Sequence, residues 1–242
     1  MPTKSSYKQK RKAQLQLRRT LIIGGIFLVA IVVVAILIIQ NPPGQNTAVG
    51  TIVPAPTITW PQANGKTLGP ADAKVVVMEF ADFQCPYCKE FHDTIVPQIV
   101  SKYVATGKIR FEYHHFIVVD SNVGGSESEH AAEASECANS QGKFWEYFNL
   151  GFANQGQEGQ GAFSDSRLKA FASTLGLDTT KFNACFNSHS MAQAVSADGA
   201  LAASHQLNST PSLVVNNVLV QNPMDFTAVQ VAIDAALKSA GQ

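Results

Sequence analysis

Two cysteines, Cys85 and Cys88, lie two residues apart in the stretch EFADFQCPYCKEF, residues 79–91. A pair at this spacing can bind a metal, form a structural disulfide or act as a redox centre. A metal site would need Cys137, Cys185 or histidines at a matching short spacing, which the sequence does not contain. We therefore expect no bound metal. The choice between a structural disulfide and a redox centre depends on the sequence that surrounds the pair.

The element that positions Cys85 is predicted from the residues before it. Residues Lys74–Phe80 form a short apolar run that is typical of a buried strand, so Cys85 is expected at the start of the following helix. Unpaired backbone N–H groups and the helix dipole favour a thiolate there, and Pro86 suits the first helical turn. Cys88 then lies one turn further on. The sequence thus places a nucleophile and a second thiol within mutual reach.

The N-terminal region predicts where the cysteines reside. Residues 1–20 contain seven Lys and Arg and no acid, and every residue in 21–39 is apolar or glycine. Nineteen such residues span about 28 Å as a helix, close to the hydrocarbon thickness of a bilayer. Because Gln40 and prolines follow in place of a small-x-small site, we expect an uncleaved anchor rather than a signal peptide. The basic segment 1–20 would stay in the cytoplasm, and the remainder would lie outside it.

The charge balance indicates an acidic domain after residue 20 and argues against nucleic-acid binding. The whole chain is formally neutral, but seven basic residues precede residue 21, which leaves a net charge of −7 on the rest. An acidic domain carries no electrostatic footprint for nucleic acid. An extracytoplasmic compartment also allows disulfides to persist.

Beyond the predicted anchor, residues 40–56 are rich in proline and small polar residues and predict a flexible tether. Residues 57–242 are enough for one domain. The strand ending at Phe80, a helix interrupted by Pro97, and a second strand at Ile109–Phe116 predict a βαβ unit. His114 and His115 point to opposite faces of that second strand, and no ligand role is expected for either.

The second half of the domain differs. Residues 126–207 predict a block of short helices that opens with a capping box formed by Ser126 and Glu129. A hairpin then follows, with strands Leu213–Val215 and Val218–Gln221 joined by two asparagines, and a last helix covers about Asp225–Ala240. The predicted class is α/β, with a βαβ half, an inserted helical subdomain and a ββα half.

These features together resemble the DsbA-like thiol–disulfide oxidoreductases. The resemblance rests on Cys-Pro-Tyr-Cys, on GKFWEYF inside the helical block, and on Thr210-Pro211 before the hairpin, and it covers about residues 68–237. It implies a thioredoxin fold with a helical insertion. The Pro-Tyr dipeptide departs from the Pro-His of well-known oxidants in the family and leaves the oxidising strength open.

The resemblance also implies roles for individual residues. Cys85 corresponds to the nucleophile and Cys88 to the resolving thiol, and their redox-active disulfide needs no other cofactor. Pro211 corresponds to a cis-proline that, with Thr210, faces the disulfide and helps to bind substrate beside Pro86 and Tyr87. Glu79 corresponds to a buried acid that assists proton transfer. The negative charges of Glu79, Asp82 and Glu90 are expected to repel the Cys85 thiolate. They would thus oppose its stabilisation by the helix N-terminus.

Three functions remain open at this point. The first is an oxidase that donates its disulfide to exported proteins and is reoxidised by a quinone-linked membrane enzyme of the DsbB or VKOR type. The second is a membrane-tethered reductase or isomerase. The third is a non-redox binding or chaperone module. This hypothesis does not explain the presence of Thr210-Pro211.

The other two cysteines, Cys137 and Cys185, lie 48 residues apart in the helical block. They are either two buried free thiols or a structural disulfide. An oxidising compartment favours the disulfide, which would constrain the unfolded chain by about 4 kcal/mol in the loop-entropy treatment.

Overall fold

The structure is a computed structural model that describes residues 49–242. The predicted cytoplasmic segment 1–20, the predicted anchor 21–39 and the first part of the predicted tether lie outside the described residues. Within residues 49–242, none of the helices has both the length and the apolar character needed to cross a bilayer.

A five-stranded sheet forms the centre of the fold. Its strands are β1 (Thr67–Leu68), β2 (Val76–Ala81), β3 (Arg110–His115), β4 (Ser212–Val215) and β5 (Val218–Leu219). Their spatial order is β1-β3-β2-β4-β5, with β2 and β3 parallel and the other neighbours antiparallel. The central strand β2 is buried at all but its first residue. This explains why every residue of the strand except Glu79 is apolar, because a strand covered on both faces needs no polar alternation.

The connection from β2 to β3 is helical and interrupted, as the sequence predicts. It consists of α1 (Pro86–Thr94), α2 (Val96–Ile99) and a π-helical turn (Val100–Val104). Pro97 cannot donate a backbone hydrogen bond, and the helix divides just before it. The βαβ unit places the start of α1 at the carboxyl end of β2, next to the centre of the sheet.

Six helices between β3 and β4 form the insertion. They are α3 (Val119–Val123), α4 (Glu127–Asn139), α5 (Phe144–Ala153), α6 (Asp165–Thr174), α7 (Thr179–Asn187) and α8 (Ala192–Ser204). The insertion begins with α3, a few residues before the predicted boundary at 126. The short α3 has no marked apolar periodicity, which explains why the sequence did not indicate it.

The predicted capping box at the start of α4 is wrong. Ser126 precedes the helix, but in the described chain its side chain makes no capping hydrogen bond. The carboxylate of Asp120 instead accepts the N–H groups of Ser128 and Glu129, at 3.0 and 2.9 Å. A residue from the preceding helix therefore takes the role that the local pattern assigned to Ser126.

The C-terminal ββα half has the predicted form. Asn216 and Asn217 link β4 to β5 with φ values of 44° and 68°. Two consecutive positive φ values are what a two-residue hairpin turn requires, and asparagine tolerates them. Helix α9 (Phe226–Ser239) follows and is capped by the Asp225 carboxylate, which accepts the Thr227 N–H at 2.9 Å.

The predicted flexible tether is wrong for its last residues. Ile52 and Ala55 pack against the core. The Asn154 side chain accepts the Val53 N–H and donates to the Val53 carbonyl, both at 2.8 Å. A single amide thus holds the backbone as a neighbouring strand would. The packed domain consequently begins before residue 57, because the distant Asn154 pairs with the backbone polar groups of Val53.

Candidate active site

Cys85 is the residue immediately before α1, and Cys88 lies one turn inside the helix. The Cys85 carbonyl accepts the N–H groups of Cys88 and Lys89, at 3.1 and 3.2 Å. Pro86 occupies the first helical position. Cys85 is 6% exposed and Cys88 is 0% exposed. Only the first sulfur can therefore be approached from the surface.

The surroundings of Cys85 favour its thiolate. A hydrogen bond from the Cys88 thiol is the largest influence and lowers the pKa of Cys85 from 9.0 to about 6, against the opposing effect of burial. The Thr210 side chain and the backbone N–H groups of Cys88 and Tyr87 add to this stabilisation. At pH 7 the group is mostly a thiolate, which is the form that attacks a disulfide.

Cys88 has the opposite character. Burial raises the pKa of Cys88 well above its ordinary value, and its proximity to Cys85 raises it further. Its sulfur accepts the N–H of Asp82 at 3.5 Å, which compensates only in part. Cys88 is therefore a thiol at neutral pH and must lose its proton before it can attack.

Glu79 lies on β2 and is completely buried. Its two carboxyl oxygens have no hydrogen-bond partner among the described residues. Burial without a partner raises the pKa of Glu79 to about 8. The carboxyl group is thus mostly neutral at pH 7, so the expectation that its charge repels the Cys85 thiolate is wrong. When Glu79 does ionise, its charge raises the pKa of Cys88, so the two groups are electrostatic neighbours.

Asp82 is also buried, but its carboxylate has partners. It accepts three backbone N–H groups, from Gln84 at 2.9 Å, Val118 at 3.0 Å and Val119 at 2.9 Å. These bonds tie the turn before α1 to the start of α3. The carboxylate is therefore satisfied by the backbone of the insertion and serves to shape the turn.

The peptide bond between Thr210 and Pro211 is cis. Ser212, which follows it, pairs with Phe80 of β2, so the Thr210 carbonyl lies beside the active-site turn. The Cys85 sulfur lies 3.4 Å from that carbonyl oxygen. Two regions more than 120 residues apart in sequence thus meet at one sulfur atom. Tyr87 is 62% exposed at the rim of the site.

The sequence did not indicate two glutamines that hold this turn. Gln84 is 1% exposed. It donates to the Asp120 carboxylate at 2.9 Å and to the Ser128 hydroxyl at 2.8 Å, and it accepts the Gly159 N–H at 2.7 Å. The second, Gln155, donates to the carbonyls of Phe83 and Cys85. The only available signal was that Gln84 directly precedes Cys85.

Cys137 and Cys185 form a disulfide, with their Cα atoms 5.9 Å apart. It joins α4 to α7 within the insertion. Both residues lie in or against the hydrophobic core.

A second cluster of buried polar side chains surrounds Lys66, and the sequence did not indicate it. Its other members are His114, His115, Glu136 and Asp198. The Lys66 ammonium contacts Glu136 at 2.7 Å and also contacts Asp198. His114 lies 2.8 Å from Asp198, and His115 lies 3.5 Å from Glu136. His115, Glu136 and Asp198 are close enough to share a cation. Lys66 supplies the positive charge next to both carboxylates.

The acids of this group are shifted in the opposite direction to Glu79. Burial alone raises the pKa of Glu136, but the neighbouring His115 imidazole and the charge of Lys66 outweigh it and lower the pKa to about 2. Burial likewise opposes ionisation of Asp198, yet the bond with His114 and the charge of Lys66 hold its pKa well below its ordinary value.

Comparison with known proteins agrees with this geometry. The sequence profile described as "Thioredoxin" matches residues 62–235. The chain is 29% identical over 177 residues to "Probable disulfide bond formation protein D" of Bacillus cereus, covering 72% of this chain and 79% of that protein.

Two solved structures are similar to the described fold. The oxidised form of BdbD from Bacillus subtilis superposes with a TM-score of 0.66 at 25% identity, covering 77% of this chain and all of that one. The α-DsbA1 protein of Wolbachia pipientis has a TM-score of 0.62 at 24% identity, covering 75% and 94%, and is similar in fold.

Proposed function

The chain belongs to the thioredoxin family as a DsbA-like thiol–disulfide oxidoreductase, and from that premise we propose that it oxidises exported proteins by donating the Cys85–Cys88 disulfide. The observation that carries this proposal is the contrast between the two thiols. Cys85 has a pKa of about 6 and is reachable, whereas the pKa of the buried Cys88 is raised. Stabilising the reduced Cys85 thiolate favours the reduced enzyme, which makes its disulfide a stronger oxidant.

The reaction balances over two exchanges. A client thiolate attacks the Cys85 sulfur, the Cys85–Cys88 bond breaks, and Cys88 leaves as a thiolate that takes a proton. A second client thiolate then attacks the client sulfur of the mixed disulfide and releases Cys85 as a thiolate. The client loses two electrons and gains a disulfide, and the enzyme is left with two reduced cysteines. A low pKa of the leaving Cys85 speeds the second step.

Glu79 is the proposed proton donor and acceptor for Cys88. It is neutral at pH 7 because burial raises its pKa to about 8, and it has no competing partner among the described residues. A neutral carboxylic acid can protonate the Cys88 thiolate when the disulfide opens. The resulting carboxylate can take the proton back when the enzyme is reoxidised.

The proposed client site lies around the exposed rim of the cysteine pair. Tyr87 is available there for contact with an unfolded chain, next to Pro86. Thr210 and Pro211 are proposed to hold a client segment on the other side of Cys85. The Cys137–Cys185 disulfide is proposed to be structural, because it links two helices of the insertion.

The proposed location is the outer face of the cytoplasmic membrane, with residues 21–39 as the lipid-embedded anchor and residues 1–20 inside. Recycling would then fall to a quinone-linked membrane thiol oxidase of the DsbB or VKOR type. Protease added outside intact cells with a permeable cell wall should digest the domain and leave a small N-terminal fragment. Release of a soluble protein that begins near residue 41 would contradict the anchor.

The test of the reaction is the trapping of mixed disulfides in the extracytoplasmic compartment. Cys88→Ser should accumulate complexes with client proteins, because the thiolate of Cys85 remains and its resolving partner is gone. Cys85→Ser should trap almost none. Equal trapping by the two variants would contradict the assignment of nucleophile and resolving thiol.

The direction of electron flow needs a separate measurement. Equilibration of the Cys85–Cys88 pair with glutathione gives its reduction potential. We expect a value toward the oxidising end of the range known for thioredoxin folds, about −120 to −180 mV. A potential near −270 mV, typical of thioredoxin, would identify a reductase instead.

A further inference from the structure

Gln155 connects the insertion to the nucleophile, and we propose that it is a positioning residue for Cys85 in the exchange reaction. The inference rests on the proposed redox function and assigns a residue outside the cysteine motif to it. Gln155 is bound to the turn before α1 by two hydrogen bonds.

The contact uses the full donor capacity of one amide. The Gln155 side-chain nitrogen donates to the Phe83 carbonyl at 2.7 Å and to the Cys85 carbonyl at 2.9 Å. An amide nitrogen carries two hydrogens, so both are engaged. The two carbonyls flank Gln84, and the side chain therefore spans the turn that delivers Cys85. The contact joins residues 70 positions apart in sequence.

The position of the Cys85 carbonyl affects the geometry of the first turn of α1. The carbonyl also accepts the N–H groups of Cys88 and Lys89, which are the first hydrogen bonds of α1. The backbone N–H groups that stabilise the thiolate belong to Tyr87 and Cys88, in the same helical turn. A displacement of this carbonyl therefore changes the geometry between the Cys85 sulfur and its donors.

Gln155 is itself held in place from the other side. Its neighbour Asn154 is buried and bonds both the N–H and the carbonyl of Val53, as well as the Leu150 carbonyl at 2.9 Å. The Arg167 guanidinium donates to the Val49 carbonyl and lies 3.5 Å from the Asn154 oxygen. The docked segment 49–55 thus fixes the end of α5 from which Gln155 reaches the active site.

Gln155 is a better test of positioning than Gln84. Gln84 is almost fully buried and satisfies three groups of the insertion, so its removal would leave several buried polar groups unpaired. Gln155 is half-buried, so water can replace its side chain after truncation. Loss of function in a Gln155 variant that folds would therefore report on geometry.

The experiment is a thiolate titration of the reduced full-length protein in detergent, followed by ultraviolet absorbance as a function of pH. Gln155→Ala removes both bonds, and we expect the midpoint of Cys85 to rise by about 0.5 pH unit or more. Gln155→Met keeps about the length of the side chain, cannot donate to the two carbonyls and adds no charge, and its midpoint should rise by a similar amount. Gln157→Ala, at an exposed position in the same loop, should leave the midpoint unchanged.

The reduction potential should move with the midpoint and become more reducing in both Gln155 variants. Midpoints and potentials equal to wild type in both variants would overturn the proposal, as would an equal shift in Gln157→Ala. Thermal unfolding identifies a variant that does not fold, and the uncharged Gln155→Met, which is close to glutamine in length, then decides. The titration uses no client, so its outcome is independent of mixed-disulfide trapping, and failure of the wild-type protein to exchange thiols would count against the proposed function alone.

Discussion

Two groups of buried ionisable side chains include residues of the same sheet, and their acids respond to burial in opposite ways. At the redox site, Glu79 is buried without a hydrogen-bond partner among the described residues, and its pKa rises to about 8. In the cluster around Lys66, Glu136 is almost as deeply buried, but its pKa falls to about 2. Burial by itself raises the pKa of both acids.

The difference between the two acids is therefore a difference in partners. An ammonium and an imidazole beside Glu136 compensate the loss of water, whereas no residue in the described range 49–242 compensates it for Glu79. The first arrangement holds fixed charges that link Lys66, just before β1, to α4 and α8. The second keeps a proton that can be transferred near neutral pH, which is what the resolving thiol requires.

The largest expected effect comes from removing the partner. Lys66→Met should lower the free energy of unfolding by about 3–5 kcal/mol, because it leaves Glu136 and Asp198 buried together without their cation. Denaturant unfolding at pH 7 measures this. The matched control is Lys89→Met, whose pair with Asp93 has side chains 36% and 46% exposed. That change should cost about 0–1 kcal/mol. Equal losses in the two variants would show that Lys66 does not compensate the buried acids.

The opposite sign is expected at the redox site. Glu79→Leu should raise the free energy of unfolding by about 1–3 kcal/mol at pH 7, because it replaces an unsatisfied buried carboxyl with an apolar side chain. The same variant should release trapped clients more slowly, since Cys88 loses its proton acceptor. Glu90→Leu, at an exposed position on α1, should change stability by less than about 0.5 kcal/mol.

The pH dependence sharpens this prediction. The folded pKa of Glu79, about 8, lies above the ordinary value of 4.5, so its contribution to stability is greatest below pH 4.5 and declines as the pH rises toward 8. The advantage of Glu79→Leu over wild type should therefore be smallest near pH 4.5, grow up to about pH 8 and then level off. An advantage that is constant with pH would mean that Glu79 is ionised in the folded protein.

The Cys85 thiolate, unlike Glu79, has partners that stabilise its charge. Its pKa is therefore lowered, as are the pKa values of the acids around Lys66. Its pKa is lowered from 9.0 to about 6, so the stability that it contributes is present above the higher value and is lost as the pH falls through 6. At pH 7 this favours the reduced protein by about 1 kcal/mol. Denaturant titrations of both redox forms, with Cys137 and Cys185 kept linked, should show the reduced form gaining as the pH rises. An oxidised form that is more stable by several kcal/mol would instead describe a reductase.

The smallest effect is expected at the surface, where a lost partner is replaced by water. Ser126→Ala should change the free energy of unfolding by less than about 0.5 kcal/mol, because the Ser126 side chain makes no capping bond in the described chain. Asp225→Ala should cost about 1 kcal/mol, because that carboxylate caps α9. A larger loss for Ser126→Ala would restore the capping box that the sequence predicts.

Much of the fold could be predicted because its signals are local. Pro97 divides the helical connection since it lacks a donor, and two asparagines form the hairpin turn since they tolerate positive φ. The missed elements have no such signal. Strand β1 is only two residues long, and the segment 49–55 is ordered by an amide 101 positions away.

For the active site, the sequence by itself determined the pair of cysteines, their place between a buried strand and a helix, and the polarity that favours a thiolate on the first of them. These follow from the spacing of neighbouring residues and from the free N–H groups at any helix start. Only the tertiary structure decided that Glu79 is neutral, that Gln155 holds the Cys85 carbonyl, and that Lys66 stabilises the charges of two buried acids. Each of those depends on which distant groups share a volume from which water is excluded, and in that volume a single hydrogen bond or charge decides the state of its neighbour.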